Sequence, residues 1–167
     1  MEDEGFAEFA HARLPHLYRS AWLLCGDPHR AEDLTQDTLA KVYAHWGPRL
    51  RNPAAYAQTT LVRTWISHQR RRTHHELVVP ELPETLTRED DAELRLVVRA
   101  ALLRLEPLDR AVVVLRYLDD VPADEVAQML GLTTTAVRSR AKRALDKVRA
   151  TLGDVVPDLM LSVKEGS

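Results

Sequence analysis

Apolar residues recur along most of this 167-residue chain at the three-and-four spacing of amphipathic helices. A first segment from Gly5 to Leu24 closes at Gly26, a residue suited to ending a helix. Pro15 lies inside it and predicts a kink or a split in two. Asp27-Pro28 then reads as an N-cap followed by proline in the first helical position. Behind this start, Ala31, Leu34, Leu39, Val42 and Trp46 share an inward face, and Gly47-Pro48 stops the helix. Asn52-Pro53 repeats the start signal. The helix it opens reaches about Arg72, with Ala54, Ala57, Leu61 and Trp65 on one face and Thr60, Arg63, Ser67 and Arg70 on another. Trp65 reads as core rather than as a stacking platform.

From Thr73 to about Asp90 the periodicity fails; Pro80, Pro83 and many carboxylates predict an extended acidic linker. Helical pattern resumes at Asp91 through Leu94, Val97, Val98, Ala101, Leu102 and Leu105. Pro107 starts another helix containing Val112, Val113, Leu115 and Leu118. Two more follow, from about Pro122 to Leu130 and from about Thr134 to Leu152. The expected fold is all-α: two small helical domains, 1–72 and 91–152, joined by the acidic linker 73–90, with a tail over 153–167. Each domain has little core of its own, so partner binding is expected to fix their relative orientation.

Composition changes this picture only through the placement of charge. Apolar residues make up 45% and charged residues 29% of the chain, with a net charge of −2. Basic residues cluster from Arg63 to Arg72 and from Arg138 to Arg149, whereas acidic ones cluster at the N-terminus and from Glu76 to Glu93. Cys25 is the single cysteine, which excludes an internal disulfide and predicts a buried thiol. The acidic start lacks the apolar core of a signal peptide, and no run approaches the ~20 apolar residues of a membrane span, so a cytoplasmic protein is expected.

The strongest motif is the run from Asp124 to Arg138, which predicts a helix-turn-helix. Ala127 is small where two helices cross, Gly131 admits the positive φ of the tight turn, and Thr133 can cap the second helix. Val126, Leu130, Leu132 and Val137 seal the joint. The second helix then separates an apolar stripe (Val137, Ala141, Ala144, Leu145, Val148, Leu152) from Thr134, Thr135, Arg138, Ser139 and Lys142. In such motifs the start of the second helix enters the major groove of DNA. Arg138 can reach a guanine edge through two hydrogen bonds and Lys142 a base or phosphate; Arg140 and Arg143 suit phosphates.

Two distant stretches, Gly26 to Asp37 and Pro107 through Arg140, resemble the extracytoplasmic-function group of sigma factors, particularly small actinobacterial-type members. The resemblance covers about Phe6 to Leu152. It implies a first domain that binds core RNA polymerase and opens promoter DNA, and a second that reads the upstream promoter element. It also implies Glu32, Asp33, Leu34, Gln36 and Asp37 as polymerase-binding residues. On the residues alone, Glu32 and Asp33 read first as complements to the helix N-terminal dipole. The helix from Pro53 matches the strand-opening helix, with Thr60, Arg63, Ser67, Arg70, Arg71 and Arg72 toward the displaced strand. Composition alone leaves a solvated basic face equally open. Arg63 stands where relatives often have asparagine, and Thr135-Ala136 replaces a frequent glycine-threonine pair. An anti-sigma protein is a further implied partner.

An ordinary helix-turn-helix regulator that does not associate with core polymerase is the alternative; it accounts for the second domain but not the first. An enzyme is not expected. His68, His74 and His75 lack an H-E-x-x-H pattern, and no phosphate-binding glycine loop or nucleophile motif is present. Neither a metal nor a cofactor is expected.

Overall fold

The computed structural model describes residues 2–72 and 91–155. The predicted linker 73–90 and the tail beyond Val155 lie outside the described residues. The helices are α1 (Glu2–Cys25), α2 (Pro28–Ala44), α3 (Pro53–Arg71), α4 (Asp91–Leu103), α5 (Pro107–Val113), α6 (Ala123–Leu130) and α7 (Thr134–Val155). No strand occurs among the described residues.

The start signals work as their chemistry dictates. The Asp27 carboxylate accepts from the His29 and Arg30 backbone amides at 2.8 and 3.2 Å, so two orphan donors of α2 are satisfied. Asn52 does the same for Ala55 at 3.1 Å. Gly26, at φ +69°, ends α1 in the left-handed region that favours glycine. Pro15 does not split the first segment: α1 runs through it as one helix.

The first three helices pack around Leu17, Leu24, Leu34, Val42, Leu61, Val62 and Trp65, each almost wholly buried. An aromatic group of Phe6, Phe9, Tyr43 and Trp46 ties the start of α1 to the end of α2. In the second half, α5, α6 and α7 enclose Val112, Val114, Leu115, Val126, Val137 and Ala144. Past Val113 the fifth helix widens into a π-helical turn, Val114–Leu118, a departure from the regular helix predicted through Leu118. Arg110, one helical turn before it, has a role that the pattern of apolar positions does not reveal.

The two halves pack directly against each other. Their buried residues form one continuous core cluster, with α1 against α4 and α3 against α5 and α6. Pooling the cores increases the fraction of surface each small unit buries.

Candidate nucleic-acid and polymerase interface

The helix-turn-helix is built as its residue types require. Gly131 takes φ +66° at the turn, and the Leu132 amide donates back to the Ala127 carbonyl at 2.9 Å. The Thr133 hydroxyl accepts from the Ala136 amide at 3.1 Å and caps α7. Ala127, Val126 and Val137 are buried at the crossing, while Leu130 and Leu132 are half-buried.

This joint leaves one face of α7 open. Thr135, Arg138, Ser139, Lys142 and Arg143 are exposed, and Thr134 is half-buried. Arg143 Nε donates to the Ser139 carbonyl at 3.4 Å, along its own helix. Arg140 stands apart from this group. Its Nη1 donates to the Asp109 carboxylate at 2.8 Å, and the two side chains are 31% and 14% exposed. It ties α7 to α5, so its guanidinium is already committed within the fold.

On α2, Glu32, Asp33 and Gln36 are exposed and Asp37 is half-buried beside Lys41 (3.4 Å) and His68 (3.8 Å). Lys41 also donates to the Thr64 hydroxyl at 3.0 Å, which joins α2 to α3. Leu34 is 1% exposed and points into the core. Its predicted role in contacting a partner is corrected: the side chain is enclosed in the core and holds α2 in place.

The polar face of α3 divides. Thr60 is half-buried, with its hydroxyl donating to the Tyr56 carbonyl at 2.7 Å. Arg63, Ser67, Arg70 and Arg71 are exposed, and Arg72 is half-buried. Arg63, however, is engaged by the other half of the molecule. Its Nε donates to the Met129 carbonyl at 3.0 Å and its Nη2 to the Gln128 carbonyl at 3.1 Å, both at the end of α6. Arg63, Ile66, Ser67 and Arg70 thus form one wall of a cleft of about 320 Å³, and Gln128 through Gly131 form the other. Trp65 is 1% exposed, as the core reading expected.

Two charged residues to which sequence reasoning gave no role organise the junction. Arg110 is 3% exposed. Its guanidinium donates to Leu102 and Leu105 at the end of α4 (2.9 and 3.0 Å) and to Leu24 at the end of α1 (2.7 Å). It also lies 5.5 Å above the Trp65 ring centroid. Two helix C-termini, each with orphan carbonyls and negative dipole ends, therefore share one cation in place of a carboxylate. Burial lowers its pKa to about 10, which leaves it charged at neutral pH. The detectable sequence signal was an arginine directly preceding Ala111-Val112-Val113-Val114-Leu115, a charge next to an apolar run.

Asp119 is the second. Its side chain is 2% exposed and accepts from Ser20 Oγ at 3.1 Å and from Gln58 Nε2 at 2.5 Å, with His16 Nε2 at 3.6 Å. Burial pushes its carboxyl above the usual range, against the opposing pull of His16, Ser20, Arg19 and Gln58. Nothing in the local sequence marks it, because every partner is at least 61 residues away.

Cys25 is half-buried, and burial pushes its thiol up to about 12, so it holds its proton. Among the described residues no group of three or more His, Cys, Asp or Glu could hold a metal ion, and no helix is long and apolar enough to cross a membrane.

Comparison with known proteins covers both halves. Residues 9–75 match the family Sigma-70 region 2, and residues 95–148 match Sigma-70, region 4. The chain is 35% identical over 155 residues to the RNA polymerase sigma-E factor of Streptomyces coelicolor, covering 88% of this chain and 85% of that one. It is 32% identical over 149 residues to the ECF RNA polymerase sigma factor SigL of Mycobacterium tuberculosis, covering 83% of this chain and 84% of that one. Among solved structures, the sigma factor RpoE in complex with the anti-sigma factor NepR from Bartonella quintana shares the fold. The TM-score is 0.70 at 23% identity, over 89% of this chain and 97% of that one. The extracytoplasmic function sigma factor SigJ of M. tuberculosis gives a TM-score of 0.62 at 29% identity, over 85% of this chain and 52% of that one.

Proposed function

The chain belongs to the extracytoplasmic-function sigma factors of the sigma-70 family, and from that premise we propose how its surfaces divide the work of starting transcription. It directs RNA polymerase to promoters, with core polymerase and promoter DNA as its partners. The chain itself makes and breaks no bonds; nucleotidyl transfer belongs to the polymerase.

In this reading, residues 1–72 dock on core polymerase and melt DNA, and residues 91–152 read the upstream element. The exposed carboxylates and amide of α2, Glu32, Asp33 and Gln36, suit a basic partner surface. On α7, Arg138 makes a bidentate base contact, supported by Thr134, Thr135, Ser139 and Lys142, while Arg143 binds phosphate. On α3, Thr60, Arg63, Ser67, Arg70 and Arg71 line a track for the displaced strand. An anti-sigma protein is a fitting regulatory partner: a structural neighbour with the same fold was solved with one.

The observation that carries the reading is that one chain bears both family regions, each with its expected surface exposed: acidic on α2, cationic on α7. A regulator that binds DNA without core polymerase would need only the second. Transcription by core polymerase from a promoter library tests role and sequence preference together. Selective initiation at a defined promoter class is expected; absence of initiation on every template sinks the reading.

A further inference from the structure

We propose that a cavity between the start of α2 and the end of α3 binds a small phosphate monoester, held by Arg30, Arg71 and Arg72. All of its lining residues belong to the first half of the chain. The cavity measures about 280 Å³. That lies just below the roughly 300–1,000 Å³ of pockets for drug-sized ligands, so it suits a small one. Cys25, Leu34 and Trp65 form its buried apolar side, while Arg30 and Arg71 are exposed and Arg72 is half-buried.

Three observations carry the assignment. First, none of the three guanidiniums makes a hydrogen bond or ion pair among the described residues. Arg63, Arg110 and Arg140, by contrast, are each tied to a carbonyl or carboxylate of the fold. Second, Arg30 stands in the first turn of α2, where the helix end already carries partial positive charge. The Asp27 carboxylate serves the backbone amides of His29 and Arg30 there, so the guanidinium keeps its donors. A cation so placed opposes the helix dipole and gains from a bound anion. Arg71 and Arg72, at the end of α3, have that helix's dipole in their favour and alone would carry no argument. Third, Arg30 and Arg72 both oppose the burial that pushes the Cys25 thiol up, so cations from two helices converge on one lining residue.

The ligand class follows from the donors. Planar guanidinium forks pair with phosphate oxygens through two parallel hydrogen bonds. A phosphate monoester brings close to two negative charges and three acceptor oxygens, more than a carboxylate can offer three forks. Asp33, on the same lining, offsets one cation and leaves an excess that a single phosphate group matches. Trp65 adds a buried indole N–H that has no acceptor.

Titration calorimetry of the full chain with AMP, inorganic phosphate and acetate tests the site, at a salt concentration near 0.15 M where loose surface attraction is screened. Saturable binding of one AMP per chain is expected, with acetate the weakest of the three. Arg30→Ala and Arg72→Ala should each weaken AMP binding roughly tenfold, the loss of one charge-assisted contact. Arg30→Lys keeps the charge without the fork and should recover only part of it. Arg138→Ala, on the separate cationic face of α7, should leave AMP binding unchanged. Circular dichroism checks that the variants keep their helix content; if Arg72→Ala does not, the exposed Arg71→Ala takes its place. Equal losses from Arg30→Ala and Arg138→Ala would mean diffuse attraction to any basic patch and overturn the site. Binding of inorganic phosphate as tight as AMP would reduce the ligand to the free ion and overturn the ester. A single-stranded oligonucleotide without a terminal phosphate that binds through Arg30 while AMP does not would assign the cavity to a nucleic-acid backbone instead. These titrations contain no polymerase, so the sigma reading, tested by transcription, stands or falls separately.

Discussion

The cationic faces of α3 and α7 look alike in sequence and end in opposite environments. Both set basic and small polar residues at helical spacing beside an apolar stripe. On α7, Arg138, Lys142 and Arg143 stand exposed on the outer side of the helix-turn-helix. On α3, Arg63 is tied to the end of α6 and the face lines a cleft between the halves. A basic helical stripe therefore specifies a surface that can bind phosphate, while tertiary packing decides when it is available. Charge pattern alone cannot separate a reading face from a covered one.

The comparison can be broken most severely at the cation that joins the halves. Arg110→Ala leaves the carbonyls of Leu24, Leu102 and Leu105 buried without a donor and should cost on the order of 3–5 kcal/mol of stability. Arg110→Lys should recover little, because one ammonium cannot span the ends of two helices as the planar fork does. Denaturant midpoints check both. Next in size, Leu34→Ala should cost about 2–5 kcal/mol as a core cavity. Asp33→Ala with Gln36→Ala should instead leave the melting temperature nearly unchanged and weaken core-polymerase binding. That contrast separates the buried from the exposed side of α2.

On the open face, Arg138→Ala should lose about 1–3 kcal/mol of discrimination at a single base position. Arg143→Ala should weaken duplex binding more evenly and lower the salt slope by about one phosphate contact. Competitive binding to promoter variants at several salt concentrations distinguishes them. The smallest effect is expected at Arg140. Its pair with Asp109 is partly exposed, so Arg140→Ala should cost about 0.5–1 kcal/mol of stability and leave the salt slope of DNA binding unchanged. A flattened slope would return Arg140 to the phosphate-binding set.

Much of this architecture is legible in the sequence. Asp27-Pro28, Asn52-Pro53, Gly131 and Thr133 act through their nearest neighbours, so their caps and turns follow from local chemistry. The candidate reading face on α7 was legible for the same reason, since a stripe of Val137, Ala141 and Ala144 leaves its opposite side outward. Leu34 shows where a motif misleads. Its neighbours Glu32, Asp33 and Gln36 are exposed, but its own position, level with the inward Ala31 and Thr38, faces the core.

By itself the sequence determined the all-α class, the helix starts at Asp27-Pro28 and Asn52-Pro53 and the helix-turn-helix, because each depends on contacts within a few residues. Only the tertiary structure decided that the halves share a core, that Arg63 and Arg140 are engaged, and that Arg110 and Asp119 hold the seam. The partners of Asp119 lie at least 61 residues from it, and the Leu24 carbonyl lies 86 residues from Arg110. A buried charge is stable only where distant chain segments converge to satisfy it, and no local pattern records that convergence.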